Sequence, residues 1–190
     1  MAAPESANLK NLSGQWVMNK KLSGEFDSIL ALQGIGWLTR SAISLATITL
    51  HLKQYNAEDG VEHVDIDQVL TGGIKGTAEH RVLNDEWRDH TDHIFGHVRA
   101  RSRRTKLSSL KDDDEDEKFL KTDWTQDVID GDEVIDGQVE SQDNGWTARQ
   151  SWGFEVIDGE RRHCRHAIVH KGDEVKRVKL VYDYKGPLDG

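Results

Sequence analysis

Phe26-Asp27-Ser28-Ile29-Leu30-Ala31-Leu32-Gln33-Gly34-Ile35-Gly36-Trp37-Leu38-Thr39-Arg40 carries helical spacing that runs on to Ala46, and Thr47-Ile48-Thr49-Leu50-His51-Leu52-Lys53-Gln54-Tyr55 follows with strand spacing. The period falls from about 3.6 to 2, and no second long helical pattern appears afterwards. A helical lid therefore precedes an all-β body. Just upstream, Leu12-Ser13-Gly14-Gln15-Trp16-Val17-Met18 reads as a short first strand, about Ser13 to Asn19. Ser23 is placed to cap the first helix, and Glu25 and Asp27 sit where a helix dipole favours negative charge. Helices this short are stable only when docked on something larger, and a barrel mouth would serve.

From Ala46 onward, strand-like segments alternate with turn signals, the pattern of an antiparallel meander. They are expected near Val61–Leu70, Ile74–Leu83, His93–Arg104, Phe119–Ile129, Val134–Glu140, Trp146–Ile157, Arg161–His170 and Val175–Tyr184. The total is about ten strands. Asp-Gly pairs at 130–131, 136–137 and 158–159 signal tight hairpins, because a mirror-image turn needs positive φ at both central residues. Gly72-Gly73-Ile74-Lys75-Gly76 sits between strands and reads as a turn.

The first third resembles the intracellular lipid-binding proteins, the fatty-acid-binding branch of the calycin barrels. There, a Gly-x-Trp strand leads into a helix pair of the form Phe-Asp-x-x-x-x-x-Leu-Gly-x-Gly-aromatic-x-x-Arg, and residues 26–40 fit with one inserted residue. The resemblance implies an antiparallel calycin-like β-barrel with a two-helix lid over residues 24–45. Many relatives hold a fatty-acid carboxylate with an Arg-x-Tyr pair on the last strand. Here that strand reads Arg177-Val178-Lys179-Leu180-Val181-Tyr182, so Leu180 stands where the arginine would be and only Tyr182 carries over.

Composition narrows the field. The 190 residues suit one domain, taken as 11–190 after a loose polar tail at 1–10, with a charged insertion near 107–118. Two prolines leave no proline-rich linker, and the lone Cys164 excludes an internal disulfide and fits a reducing compartment. The start of the chain has neither a basic nor an apolar run of the kind a secretory signal needs, and no stretch reaches a membrane span. A cytoplasmic or nuclear location is expected. A net charge of −9 argues against a nucleic-acid backbone or an anionic membrane as partner.

Alternation assigns inward faces. Trp146, Ala148, Gln150, Trp152, Phe154 and Val156 form one, Val178, Leu180, Tyr182 and Tyr184 another, and Leu120, Trp124, Gln126 and Val128 a third. Cys164, His166, Ile168 and His170 are expected to face inward on the penultimate strand. A closed barrel of about ten strands is wide enough to enclose a cavity. Phe26, Leu30, Trp37, Trp124, Gln126, Gln150, Trp152, His166 and Tyr182 are the expected ligand-binding residues. The polar members among them suit a neutral or weakly polar ligand, since they offer hydrogen bonds without a buried charge.

No nucleophile elbow, phosphate loop or dinucleotide fingerprint is present. On a strand, His93 and His97 of the His90-x-x-His93-x-x-x-His97 cluster stand roughly 13 Å apart at about 3.3 Å per residue, too far to share one ion. No metal, cofactor or catalytic residue is assigned. The leading expectation is a non-catalytic carrier or sequestering protein for a small hydrophobic molecule. A rival is an isomerase or cyclase that works on a hydrophobic metabolite in the barrel, with His166, His170 and Tyr182 as acid-base groups. A third is a docking module that meets a protein partner through Arg99–Lys106 or Asp112–Glu117.

Overall fold

The computed structural model describes residues 1–72, 74 and 76–188. Gly73 and Lys75 of the expected glycine-rich turn, and the last two residues of the expected domain, lie outside them. Ten antiparallel strands form one coiled sheet: β1 (Gly14–Met18), β2 (Ile48–Asn56), β3 (Glu62–Leu70), β4 (Ala78–Val82), β5 (Arg88–Asp92), β6 (Gly96–Thr105), β7 (Val134–Ser141), β8 (Trp146–Ile157), β9 (Glu160–Lys171) and β10 (Glu174–Gly186). Their order is β4-β3-β2-β1-β10-β9-β8-β7-β6-β5, so β1 closes the coil by pairing with both β2 and β10. The end strand β4 comes round towards β6. There Arg81 Nη1 donates to Ser102 Oγ on β6 at 3.3 Å, and the Asp85 amide donates to the Ser102 carbonyl at 2.9 Å.

The lid is α1 (Phe26–Leu32) and α2 (Trp37–Leu45). Two residues of the quoted pattern join them: Arg40 Nε donates to Asp27 Oδ1 at 3.0 Å, and Arg40 Nη1 to the Ile35 carbonyl at 2.8 Å. Gly34, at φ 86°, makes the turn between the helices, a conformation that glycine adopts without the penalty of a side chain. Asp158 and Gly159 take φ of 53° and 75° in the expected hairpin turn between β8 and β9. The Asp-Gly pairs at 130–131 and 136–137 do not turn the chain; the first lies at the end of a helix, the second within β7. Asp136 is buried there and accepts from Arg149 Nε at 3.1 Å and from Arg103 Nε at 3.3 Å, which fixes it in the sheet.

Phe119–Ile129 is not a strand. It spans the end of α3 (Glu115–Lys121) and most of α4 (Gln126–Gly131). Leu120, Trp124 and Val128 recur every four residues, which satisfies strand alternation and a helix face equally. Helix signals decide: Asp114 accepts from the Asp116 and Glu117 amides, acidic residues fill the first turn, and Lys118 and Lys121 occupy the last. The tenth strand is instead β5, which pairs with β6 through a turn in which Asp92 Oδ1 accepts from the Ile94 and Phe95 amides.

The segment from 106 to 133 folds back on the outside of the barrel. Ser151 Oγ donates to the Leu120 carbonyl at 2.7 Å, Lys179 Nζ pairs with Asp123 at 2.6 Å, and His170 Nε2 lies 2.6 Å from Asp116. Gly153 on β8 admits this clamp, since a Cβ there would stand 2.6 Å from the Trp124 ring. The chain start is docked as well, in place of a loose tail: Ala3, Ala7 and Leu9 are buried, and Arg161 Nη1 donates to the Ala7 carbonyl at 2.7 Å. Trp16, Trp152, Phe154 and His163 fill the barrel floor above it, each fully buried. No helix among the described residues is long and apolar enough to cross a membrane.

Candidate functional site

Between that aromatic floor and the lid lies a cavity of about 430 Å³. Its upper wall is apolar. α1 lends Phe26, Ile29 and Leu30, β8 lends Trp146 and Ala148, and β10 lends Val178 and Leu180. Gln150 and Tyr182 face it lower down. Along β4 and β5 the lining turns charged, with Glu79, Arg81 and His90.

Four of the residues expected at the ligand thus line this space: Phe26, Leu30, Gln150 and Tyr182. The others are elsewhere. Trp37 is 70 % exposed on the outer side of the lid. Trp152 lies in the floor. Trp124, Gln126 and His166 belong to the external clamp, where the Trp124 and His166 rings stack at 3.8 Å and Gln126 Nε2 donates to Asp130. His166 is bonded through Nε2 to Glu155 and through Nδ1 to the Phe119 carbonyl, outside the barrel.

Strand β9 is inverted relative to expectation. Arg165, Ala167 and Val169 line the cavity, while Cys164, His166 and Ile168 face the clamp. Because the clamp covers the outer face, β9 is buried on both sides, and alternation no longer marks which side is inner. Burial also pushes the Cys164 thiol up to about 12, aided by Glu155, so it is no nucleophile.

Arg165 is the cavity-lining residue that the sequence concealed. It pairs in register with Leu180, the residue that stands where the family's arginine would be, so a guanidinium occupies that rung from the neighbouring strand. Its Cζ lies 3.9 Å from the Trp152 ring centroid and 5.3 Å from that of Tyr182. Glu79 is the nearby counter-charge, but Arg81 binds it through Nε at 3.0 Å and Nη2 at 2.6 Å. Burial pushes the Glu79 carboxyl up, and Arg81 with Arg165 more than reverses it, so Glu79 stays ionised. Arg165 Nη2 is buried with no hydrogen-bond partner, and so is the Trp146 indole Nε1 on the same cavity wall. Burial raises the Tyr182 phenol, which remains a neutral donor at pH 7. These donors replace the expectation of a site without buried charge.

His163, beneath Arg165, is held down to about 3 by burial and by the Arg165 and Arg161 charges. The unfolded chain, at 6.5, takes up this proton first as pH falls. His163 therefore contributes its full stabilisation above pH 6.5 and loses roughly 1.4 kcal/mol per pH unit on the way down to about 3. Urea midpoints between pH 7 and 4.5 should fall more steeply for the wild type than for His163→Gln; parallel curves would show that His163 does not carry this dependence.

Among solved structures the fold matches the REP1-NXSQ fatty acid transporter (TM-score 0.54, 19 % identity, covering 92 % of this chain and 96 % of that one). It also matches a Schistosoma mansoni fatty acid binding protein in complex with arachidonic acid (TM-score 0.55, 15 % identity, 92 % and 96 %). At such identities the likeness establishes the lipid-binding-protein barrel and nothing about activity. No protein-family profile matches the chain. Two curated proteins do. The probable pericyclase scpY of Mollisia scopiformis is 33 % identical over 187 residues, 98 % of this chain and 96 % of that protein. Pericyclase pydY of Acremonium sp is 30 % identical over 191 residues, the full length of both. These relatives overturn the expectation of a non-catalytic carrier, and the transport role falls with it. The chain belongs to the same family as these two pericyclases.

Proposed function

We propose that this protein catalyses a pericyclic reaction, a cyclisation or rearrangement of one lipophilic substrate held in the barrel cavity. The end-to-end kinship with two pericyclases carries this reading. It agrees with the isomerase-or-cyclase alternative, though not with the residues proposed for that role: His166 and His170 face the clamp, and only Tyr182 lines the cavity.

A pericyclic reaction shifts bonds around one closed ring of atoms, so it requires neither a nucleophile nor a general base. Two things lower its barrier. The first is confinement of a flexible chain to the reactive conformer, so that its internal rotational freedom is lost on binding and not in the transition state. The apolar upper wall does this. The second is hydrogen bonding to an oxygen that gains negative charge in the transition state, about 2.7–4 kcal/mol per well-placed donor. Arg165, Tyr182 and Gln150 face the cavity with such donors. A cavity of about 430 Å³ has room for a single drug-sized molecule.

Three arginines of the Arg99–Lys106 segment proposed for docking are engaged within the protein. Arg101 is bonded to Gln138, Arg103 to Asp136, and Arg104 to Glu62 and Glu133, all within the barrel wall. Incubating the protein with the substrates of the two relatives tests the proposal: product should accumulate beyond one equivalent per protein with no change in mass. Retention of unaltered substrate at one equivalent would refute it.

A further inference from the structure

We infer that His163 is the positioning residue of this site: by accepting the Arg165 Nε–H it fixes the orientation of the guanidinium that lines the cavity where the substrate sits. The inference rests on the reading of Arg165 as the substrate's oxygen anchor.

His163 is fully buried, and its ring is wedged between Trp16 at 5.3 Å, Phe154 at 5.6 Å and Tyr182 at 5.6 Å between centroids. Its Nδ1 lies 3.0 Å from the Gly153 carbonyl oxygen. A carbonyl can only accept, so Nδ1 carries the proton, and in a neutral imidazole Nε2 is then a bare lone pair. Arg165 Nε stands 3.5 Å from that lone pair. Apo contacts of this kind are long and tighten when substrate loads the other side of the group.

Each part of the socket is independently fixed. Gly153 is pinned from outside by Trp124, which fills the space a side chain would need, so its carbonyl cannot withdraw. Cross-strand pairing places Phe154 opposite His163 and Trp152 opposite Arg165. The guanidinium carbon thus stands over the Trp152 ring with the Nε edge on His163, and the side chain lines the cavity. The opposite tautomer, or an imidazolium, would present N–H to N–H and push Arg165 away. Neutrality of His163 at the depth of the floor is therefore part of the design.

The test uses parinaric acid, a fluorescent conjugated polyene carboxylate, against its methyl ester, which has the same apolar body without the charge. The wild type should prefer the acid about tenfold, the size of one charge-assisted hydrogen bond. Arg165→Gln should abolish the preference. His163→Phe should lower acid affinity about tenfold and leave the ester within about twofold, while His163→Gln, which keeps an acceptor and a donor, should retain most of the preference. Equal weakening of both probes by His163→Phe would make the residue merely structural and overturn the inference, as would an unchanged preference in that variant. If Arg165→Gln leaves the preference intact, the anchor reading fails first; if only His163→Phe is silent, Arg165 stands and this inference alone is lost. A second measurement needs no variant: ¹⁵N resonances of wild-type His163 should show Nδ1 protonated and Nε2 bare at pH 7, and the reverse tautomer would overturn the assignment.

Discussion

Arg165→Gln lowers turnover by about 10²–10³-fold and leaves the barrel folded. The size follows from what the substitution removes. Arg165 is the cavity-facing cation whose nearby carboxylate, Glu79, is already occupied by Arg81. Gln keeps polarity but loses the charge that strengthens a hydrogen bond to a transition-state oxygen. The apolar wall still folds the substrate, so the loss should fall on kcat more than on KM. Stability should hold or rise, because deleting a guanidinium that burial destabilises removes a desolvation cost, and Glu79 keeps its bonds to Arg81. Turnover within threefold of wild type, with the fold confirmed by circular dichroism, would remove Arg165 from the mechanism.

Trp124→Ala should cost about 3–5 kcal/mol in a urea titration, the range for removing a buried tryptophan. Trp124 is 4 % exposed, stacks on His166, donates through Nε1 to the Leu120 carbonyl at 3.0 Å, and packs over Gly153. Removing it opens a cavity between clamp and barrel and exposes the His166–Glu155 pair to water. Trp37→Ala is the contrast: with its ring 70 % exposed, it should shift stability by less than about 0.5 kcal/mol. Both tryptophans read alike in the sequence as candidate cavity aromatics. A loss below about 1 kcal/mol for Trp124→Ala would mean that the clamp is not part of the folding unit.

What the sequence made legible was what repeats locally. The change of period at Ala46 announces lid then barrel, and the Asp27 and Arg40 of the helical pattern join the two lid helices. Strands β8 and β10 show their inner faces because polar residues alternate with apolar ones. Strand β9 hides its inner face, since the clamp makes Cys164 and Ile168 as buried as Ala167 and Val169. The clamp was itself obscured, because Leu120, Trp124 and Val128 fit strand and helix periods together. The strand total agrees only because β5 replaces a strand lost at 119–129. Arg165 could not be found from a broken Arg-x-Tyr motif, for its place beside Tyr182 depends on the register of β9 against β10, which no local pattern encodes. The proposed activity was illegible for a chemical reason. A pericyclic site is made of wall shape and ordinary donors, and it leaves no nucleophile, metal or cofactor motif to read.

Pericyclic catalysis in this barrel is decided by running the reaction in D₂O with the substrates of the two relatives, followed by mass spectrometry and NMR of the product. The expected result is multiple turnovers to an isomer of unchanged mass with no deuterium at its non-exchangeable carbons, because bonds reorganise within the substrate and no proton comes from solvent. Deuterium fixed at a new C–H bond would place an acid-base isomerase in this cavity, and stoichiometric binding without conversion would contradict catalysis altogether.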